Sequence, residues 1–177
     1  MYGTTLSNAQ IEILRQVGGE KGLTITHFNK ANLKLSHYRL QPGLLYRPVR
    51  QGSRGDWERE LIHDFDEGPY AFDGNEYLII APREEITLPE GVVAQVIPAS
   101  TLVEQCFSLT AGKLDAGYSE TGAKFLMGIK NLRSETNKFH PERGLANVSF
   151  VDFRGADRNR VSFTANERRD YEDRTPV

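Results

Sequence analysis

Residues 98–131 read PASTLVEQCFSLTAGKLDAGYSETGAKFLMGIKN. Two short apolar stretches in this segment, 107–110 and 124–130, are predicted strands, and the residues between them are mostly small, polar or turn-forming. The segment also places two hydroxyl side chains, Ser100 and Thr101, ahead of the carboxylate of Asp115 and the aromatic ring of Tyr118. Hydroxyls, a carboxylate and a ring are groups that a pocket for a sugar and a phosphate needs.

The rest of the chain predicts one helix followed by many short strands. Ser7 is a plausible N-cap, Gln10 completes a capping-box pattern, and apolar residues then recur at helical spacing, which predicts a helix over 8–17. Turn signals separate the predicted strands, at 23–26, 32–39, 76–80, 85–88, 92–97, 107–110, 124–130 and 145–153. This pattern favours a mainly β fold, a distorted jelly roll or barrel with a short N-terminal helix.

The length of the chain, 177 residues, is typical of a single domain. We expect its core within residues 6–153. The glycine-rich and acidic stretch 51–69 is interpreted as an exposed loop or arm, and residues 154–177 as a polar, mobile tail.

Charge and composition disfavour several classes of partner. The formal net charge is −2, whereas binding of a nucleic-acid polymer requires clustered excess Lys and Arg. No apolar run is long enough to cross a bilayer, so no membrane partner is expected. Cys106 is the single cysteine, which fits the reducing cytoplasm, and no Cys/His spacing of a protein metal site is present.

Several segments, in this order along the chain, resemble those of dCTP deaminases and their dUTPase relatives. The matching segments are 6–11, 32–40, 76–89, 98–104, 110–118 and 145–150. The resemblance implies a dUTPase-like jelly-roll subunit that assembles as a homotrimer, with sites built between neighbouring subunits. It also implies a deoxynucleoside triphosphate ligand whose Mg²⁺ is bound through the phosphates rather than by a protein cage, and hydrolytic deamination of dCTP, or of a related deoxycytidine nucleotide, to dUTP.

The resemblance gives Asp115 and Ser100 catalytic roles. The carboxylate of Asp115 would accept a hydrogen bond from the sugar 3′-hydroxyl, and in dUTPase relatives the matching carboxylate orients the attacking water. Ser100 and Thr101 would contact phosphate and help to hold the catalytic water. The same residue types also have structural roles, since Asp is common in turns and hydroxyls are common in caps.

Three further residues are implied to bind the nucleotide. Tyr118 would pack under the deoxyribose and exclude a 2′-hydroxyl, and Ala111 would let the edge of the base meet main-chain groups. Asn147 stands where the family usually has Gln, an amide with one more methylene of reach. Tyr118 could equally be an ordinary strand aromatic, Ala111 a simple packing residue, and Asn147 a surface residue at a sheet edge.

The sequence departs from the family at positions whose side chains bind phosphate or take part in catalysis. Ala99 and Glu104 stand where the family has arginines, and a guanidinium binds phosphate in a two-point geometry that neither residue can supply. Gly128 falls at the place of the general acid/base Glu of the deaminases, and glycine cannot transfer a proton. Arg39 replaces a family Asp.

Three kinds of function therefore stay open. The first is an enzyme of deoxynucleotide metabolism, either a deaminase or a dUTPase-like pyrophosphatase. The second is a catalytically impaired trimer that binds a deoxynucleotide or a protein partner and acts as a regulator. The third is a structural trimer without a ligand.

Overall fold

The computed structural model describes residues 3–51, 57–117 and 125–154. Two α-helices and fourteen strands alternate with short 3₁₀ turns in these ranges. The helices are α1 (Asn8–Val17) and α2 (Ser100–Glu104). The strands are β1 (Thr4–Thr5), β2 (Thr24–Ile25), β3 (Tyr38–Leu40), β4 (Pro42–Gln51), β5 (Trp57–Asp64), β6 (Tyr70–Phe72), β7 (Tyr77–Pro82), β8 (Ile86–Thr87), β9 (Val92–Pro98), β10 (Phe107–Thr110), β11 (Lys113–Leu114), β12 (Met127–Asn131), β13 (Asn137–Phe139) and β14 (Ala146–Asp152).

Two five-stranded antiparallel sheets carry most of the fold. The first, the β14 sheet, has the order β1-β14-β9-β11, with β3 also paired to β14. The second has the order β10-β12-β7-β4-β5, and two-stranded pairs β13-β6 and β2-β8 complete the described part of the chain. The prediction of a mainly β, dUTPase-like fold with an N-terminal helix is confirmed.

Alternation along the strands places apolar side chains between the sheets. In β14, Ala146, Val148 and Phe150 are buried, whereas Asn147 and Ser149 point to the opposite face and are half-buried. Three phenylalanines from different strands, Phe72, Phe107 and Phe139, pack edge to face at the centre of the core. Aromatic rings favour this arrangement because the positive edge of one meets the negative face of another.

The predicted helix is present over the predicted residues, and its capping box is formed. The Ser7 N–H donates to Gln10 Oε1 at 2.9 Å, and the Gln10 N–H donates to Ser7 Oγ at 3.4 Å. Ile11 and Leu14 are buried, so the apolar stripe of α1 faces the core.

Two predicted segments differ from the structure. Within 51–69, which we interpreted as a loop or arm, residues Trp57–Asp64 form β5 and pair with β4, and Phe65–Glu67 form a 3₁₀ turn. Within 32–39, a turn joined by the Leu33–Tyr38 bridge replaces most of the predicted strand.

Of the predicted tail, residues 155–177 lie outside the described residues. Within the described ranges, no helix has the length and apolar character needed to span a bilayer.

Candidate functional site

Asp115 follows β11, at one end of the β14 sheet. Lys113 and Leu114 of β11 pair with Gln95 and Ala94 of β9, and Asp115 comes next in the chain. Its side chain is 18% exposed, and Oδ1 lies 3.6 Å from the Lys113 Nζ. The carboxylate is therefore partly withdrawn from water, beside a cation that is itself largely exposed.

The turn before Asp115 passes from one sheet to the other. β10 ends at Thr110, Ala111 packs partly buried against the core, and the Gly112 carbonyl accepts from the Val96 N–H at 3.0 Å. After Asp115, Gly117 has a φ of +91°, a conformation that side chains larger than glycine disfavour. Tyr118, the predicted sugar-packing residue, lies outside the described residues.

Ser100 and Thr101 begin the short helix α2, at the other end of β9. Ser100 is exposed, and the Thr101 hydroxyl donates to the Arg143 carbonyl at 2.9 Å. The Ala99 N–H donates to the Leu145 carbonyl at 3.2 Å, which continues the β9–β14 pairing up to the helix. These contacts hold the hydroxyl pair against the 141–145 turn.

Asn147 lies at the same end of the sheet as Ser100. It pairs with Ile97 of β9 on one side and with Arg39 of β3 on the other. Both Asn147 Oδ1 and Arg39 Nε are buried, and neither has a hydrogen-bond partner among the described residues.

The predicted site residues therefore fall into two groups rather than one. The β9–β11 register puts Asp115 towards the Val92 end of β9, whereas Ala111, Ser100, Thr101 and Asn147 lie towards its Pro98 end. With a strand rise of about 3.3 Å per residue, the four steps from Ala94 to Pro98 separate the two ends by about 13 Å. Within one chain, Ser100 and Asp115 therefore lie towards opposite ends of β9.

The positions that depart from the family pattern are occupied by other groups. Ala99 is 1% exposed and has no room for a longer side chain without local rearrangement. Glu104 is exposed, and its Oε2 lies 4.0 Å from Arg143 Nη1. A Cβ added to Gly128 would lie 2.8 Å from Cζ and Cε2 of Tyr77, because the ring of Tyr77 crosses the strand there. The place where the resemblance expects a glutamate is thus covered by a phenol from the neighbouring strand.

One polar cavity was not predicted from the sequence. It measures about 260 Å³ and is lined by side chains from several strands and turns, among them His27, Asp64, Arg83, Glu84 and Phe125. Glu84 is 2% exposed, and burial raises the pKa of its carboxyl above the ordinary value. Its Oε2 accepts from the Gln41 N–H at 2.9 Å. The only sequence signal for this cavity is a pair of acidic residues before a strand. Such a pair predicts a position on the surface and not a buried one.

The described residues hold no group of three or more His, Cys, Asp or Glu side chains placed to bind a metal ion.

Comparison with known proteins connects this geometry to a fold. No protein-family model matches the sequence, and no curated protein matches it. Among solved structures, the 2′-deoxycytidine 5′-triphosphate deaminase of Agrobacterium tumefaciens superposes with a TM-score of 0.62 at 14% identity, over 86% of this chain and 49% of that one. The chain thus spans about half the length of that deaminase.

Two dUTPases also match the structure. The EIAV dUTPase gives a TM-score of 0.42 at 16% identity, over 70% of this chain and 98% of that one. A mutant dUTPase from phage phi11 of S. aureus, described as coordinating a structural Mg(II) ion, gives 0.43 at 15% identity, over 81% of this chain and 98% of that one. The superposition on the deaminase shows that this chain shares the fold of that protein.

Proposed function

We propose that this protein binds a deoxynucleoside triphosphate, with Asp115 accepting a hydrogen bond from the sugar 3′-hydroxyl. The observation that carries the proposal is the Asp115 turn. A carboxylate that is 18% exposed follows a strand of the β14 sheet, and Gly117 beside it allows the main chain to approach a ligand closely. Tyr118 would pack against the deoxyribose, and Ala111 would leave room for the edge of the base.

The site is completed by a second copy of the chain. Ser100 and Asp115 lie at opposite ends of β9, so one copy would supply Asp115 and its neighbour the Ser100 turn with Thr101 and Asn147. A closed homotrimer satisfies this requirement with one kind of contact repeated around an axis. Mg²⁺ would accompany the triphosphate and neutralise part of its charge, held by phosphate oxygens.

The geometry favours binding without deamination. Deamination at a ring carbon requires a group that takes a proton from water and returns one to the leaving amine. The position that would supply it is Gly128, and the ring of Tyr77 fills the space above it. The proposed role is therefore that of a deoxynucleotide-binding protein with this fold, and the single Cys106 is compatible with a reducing compartment such as the cytoplasm.

The second candidate is hydrolytic deamination of dCTP to dUTP. The similarity of fold to the Agrobacterium deaminase favours it. It requires a residue other than 128 to act as the acid/base. A dUTPase-like pyrophosphatase would use Asp115 to orient water instead.

A thermal-shift panel of deoxynucleotides, ribonucleotides and nucleosides, each with and without Mg²⁺, tests the binding proposal. A ligand at one hundred times its dissociation constant should stabilise the protein by about 2.7 kcal/mol. Asp115→Asn should remove this stabilisation. Asp66→Asn is the control, since Asp66 is also an aspartate in an ion pair, with Arg83, and lies in the turn that follows β5. If no deoxynucleotide stabilises the wild-type protein, the proposal fails.

Chromatography of the same mixtures separates the two candidates. Stabilisation by dCTP without formation of dUTP or a monophosphate supports a binding protein. Conversion of dCTP to dUTP that is lost in Asp115→Asn would establish the deaminase instead.

A further inference from the structure

Arg143 is held at the start of α2 by main-chain contacts. Its carbonyl accepts from the Thr101 hydroxyl at 2.9 Å, which ties the 141–145 turn to the helix. Its guanidinium lies 4.0 Å from Glu104, and the two side chains are 51% and 67% exposed. An ion pair this long and this exposed stabilises little, so the guanidinium can exchange Glu104 for a stronger anion at small cost.

Arg39 reaches the same corner from β3. A Cβ added to Gly144 would lie 2.7 Å from Arg39 Cδ, so the aliphatic part of this arginine rests directly on the main chain next to Arg143. Gly144 has a φ of +80° and lacks the side chain that would block this path. The Arg39 side chain therefore meets the main chain of the 141–145 turn, in which the Arg143 carbonyl is bonded to the Thr101 hydroxyl.

The polar atoms under this corner are incompletely satisfied. Arg39 and Asn147 are direct partners in the β3–β14 pairing, and the buried Arg39 Nε and Asn147 Oδ1 have no hydrogen-bond partner within the described ranges. A buried donor or acceptor without a partner is costly, and native proteins contain few of them. A bound anion that draws the Arg39 guanidinium outward and lets the Asn147 amide rotate would allow both unpaired atoms to form hydrogen bonds.

We infer that Arg39 and Arg143 form the phosphate-binding part of the nucleotide site, in place of arginines at positions 99 and 104. This inference rests on the proposed function and assigns the residues that recognise the triphosphate. Guanidinium groups suit this role because their planar fork pairs with two phosphate oxygens at once. Glu104 competes with phosphate for Arg143, so it limits the affinity rather than contributing to it.

Isothermal titration with inorganic tripolyphosphate at low ionic strength tests the arginines without any base or sugar. Arg39→Gln and Arg143→Gln should each weaken binding about tenfold or more. Glu104→Gln should strengthen it, because the competing carboxylate is gone. Arg47→Gln is the matched control and should bind as the wild type does, since Arg47 is also a half-exposed arginine paired with a glutamate, on the hairpin of the other sheet.

A second pair of variants, Arg39→Lys and Arg143→Lys, keeps the positive charge. This pair keeps the test valid if the glutamine variants fail to fold. Each should bind more tightly than its glutamine counterpart, with an unchanged melting temperature in the absence of ligand. Equal binding by wild type, Arg39→Gln and Arg143→Gln would overturn the inference. A change of oligomeric state in Arg39→Gln by light scattering, with unchanged tripolyphosphate binding, would also overturn it and would assign the corner to a subunit interface.

These outcomes are distinct from failure of the proposed function. If deoxynucleotides bind through Asp115 while the arginine variants bind tripolyphosphate normally, the inference fails and the proposed function stands. If tripolyphosphate binding depends on the arginines but no deoxynucleotide stabilises the protein, the arginine site stands and the nucleotide proposal fails.

Discussion

Glu84 is a carboxylic acid that is almost fully buried, on the wall of the cavity described above. It accepts hydrogen bonds from the Gln41 N–H at 2.9 Å and the Tyr38 hydroxyl at 3.4 Å. Burial nevertheless raises the pKa of Glu84, because hydrogen bonds only partly replace the solvation of a carboxylate. The hydrogen bond between Tyr38 and Glu84 also connects the segments 32–40 and 76–89. In the sequence, these two segments resemble the family only by their residues and their order along the chain.

Glu84 should make the stability of the fold depend on pH. Since its pKa is higher in the folded than in the unfolded state, its stabilising contribution is complete at acid pH and is lost as pH rises through the folded pKa. Glu84→Gln cannot ionise, so its stability relative to the wild type should increase from about pH 4 to about pH 8. Urea unfolding across this range measures the difference, with the exposed Glu85→Gln as control. A difference that is constant with pH would contradict the assignment.

Gly128 and Tyr77 should be energetically coupled. Alanine at 128 would place its Cβ against the Tyr77 ring, which must then move away. The destabilisation caused by Gly128→Ala should therefore shrink in a Tyr77→Ala background, with a coupling energy of about 0.5 kcal/mol or more. Urea unfolding of the two single variants and the double variant gives this value. Additive effects would show that the ring does not occupy the space above residue 128.

At the scale of elements, prediction succeeded where local chemistry determines structure. The helix has its predicted boundaries because Ser7 and Gln10 satisfy main-chain groups within one turn. Strand β10 follows its apolar alternation. Strand β5, with the sequence WERELIHD, was missed because it is largely charged and is held by pairing with β4, a contact that the local pattern does not encode.

The roles of the candidate site residues stay predictions, and the sequence reveals their positions to different degrees. The turn that contains Asp115 is formed by neighbouring residues and includes its own glycine. The residue types of this turn can therefore be recognised in the sequence. Arg39, Arg143 and Asn147 are brought together only by the register of β3 on β14 and by the conformation of Gly144. Contacts between residues that are far apart in the sequence leave no local sequence pattern. The same holds for the covering of Gly128 by the ring of Tyr77.

The capping box of α1 should contribute measurably to stability. Ser7→Ala removes the acceptor for the Gln10 N–H and should lower the free energy of unfolding by about 1 kcal/mol. Thermal or urea unfolding followed by circular dichroism measures the loss. Ser36→Ala, an exposed serine in a turn, serves as control. Equal stability of the two variants would show that the cap is not formed in solution.

At the scale of the whole molecule, a site shared between copies predicts complementation. Asp115→Asn alone and Ser100→Glu alone should each lose deoxynucleotide binding, the second because a carboxylate repels phosphate. Co-refolding the two in equal amounts should restore about a quarter of the sites, since random assembly brings two unaltered residues together with that frequency. Titration calorimetry gives the stoichiometry. No recovery after verified subunit exchange would place the whole site within one chain.

The exposed thiol of Cys106, unique in the sequence, offers a direct test of the proposed homotrimer. A nitroxide spin label attached there marks every copy once, without the removal of competing cysteines. Pulsed dipolar spectroscopy would then report a single inter-label spacing for a threefold ring, and at least two for an open chain of three copies. The same label, followed during titration with nucleotide, would show whether the ring tightens when ligand arrives.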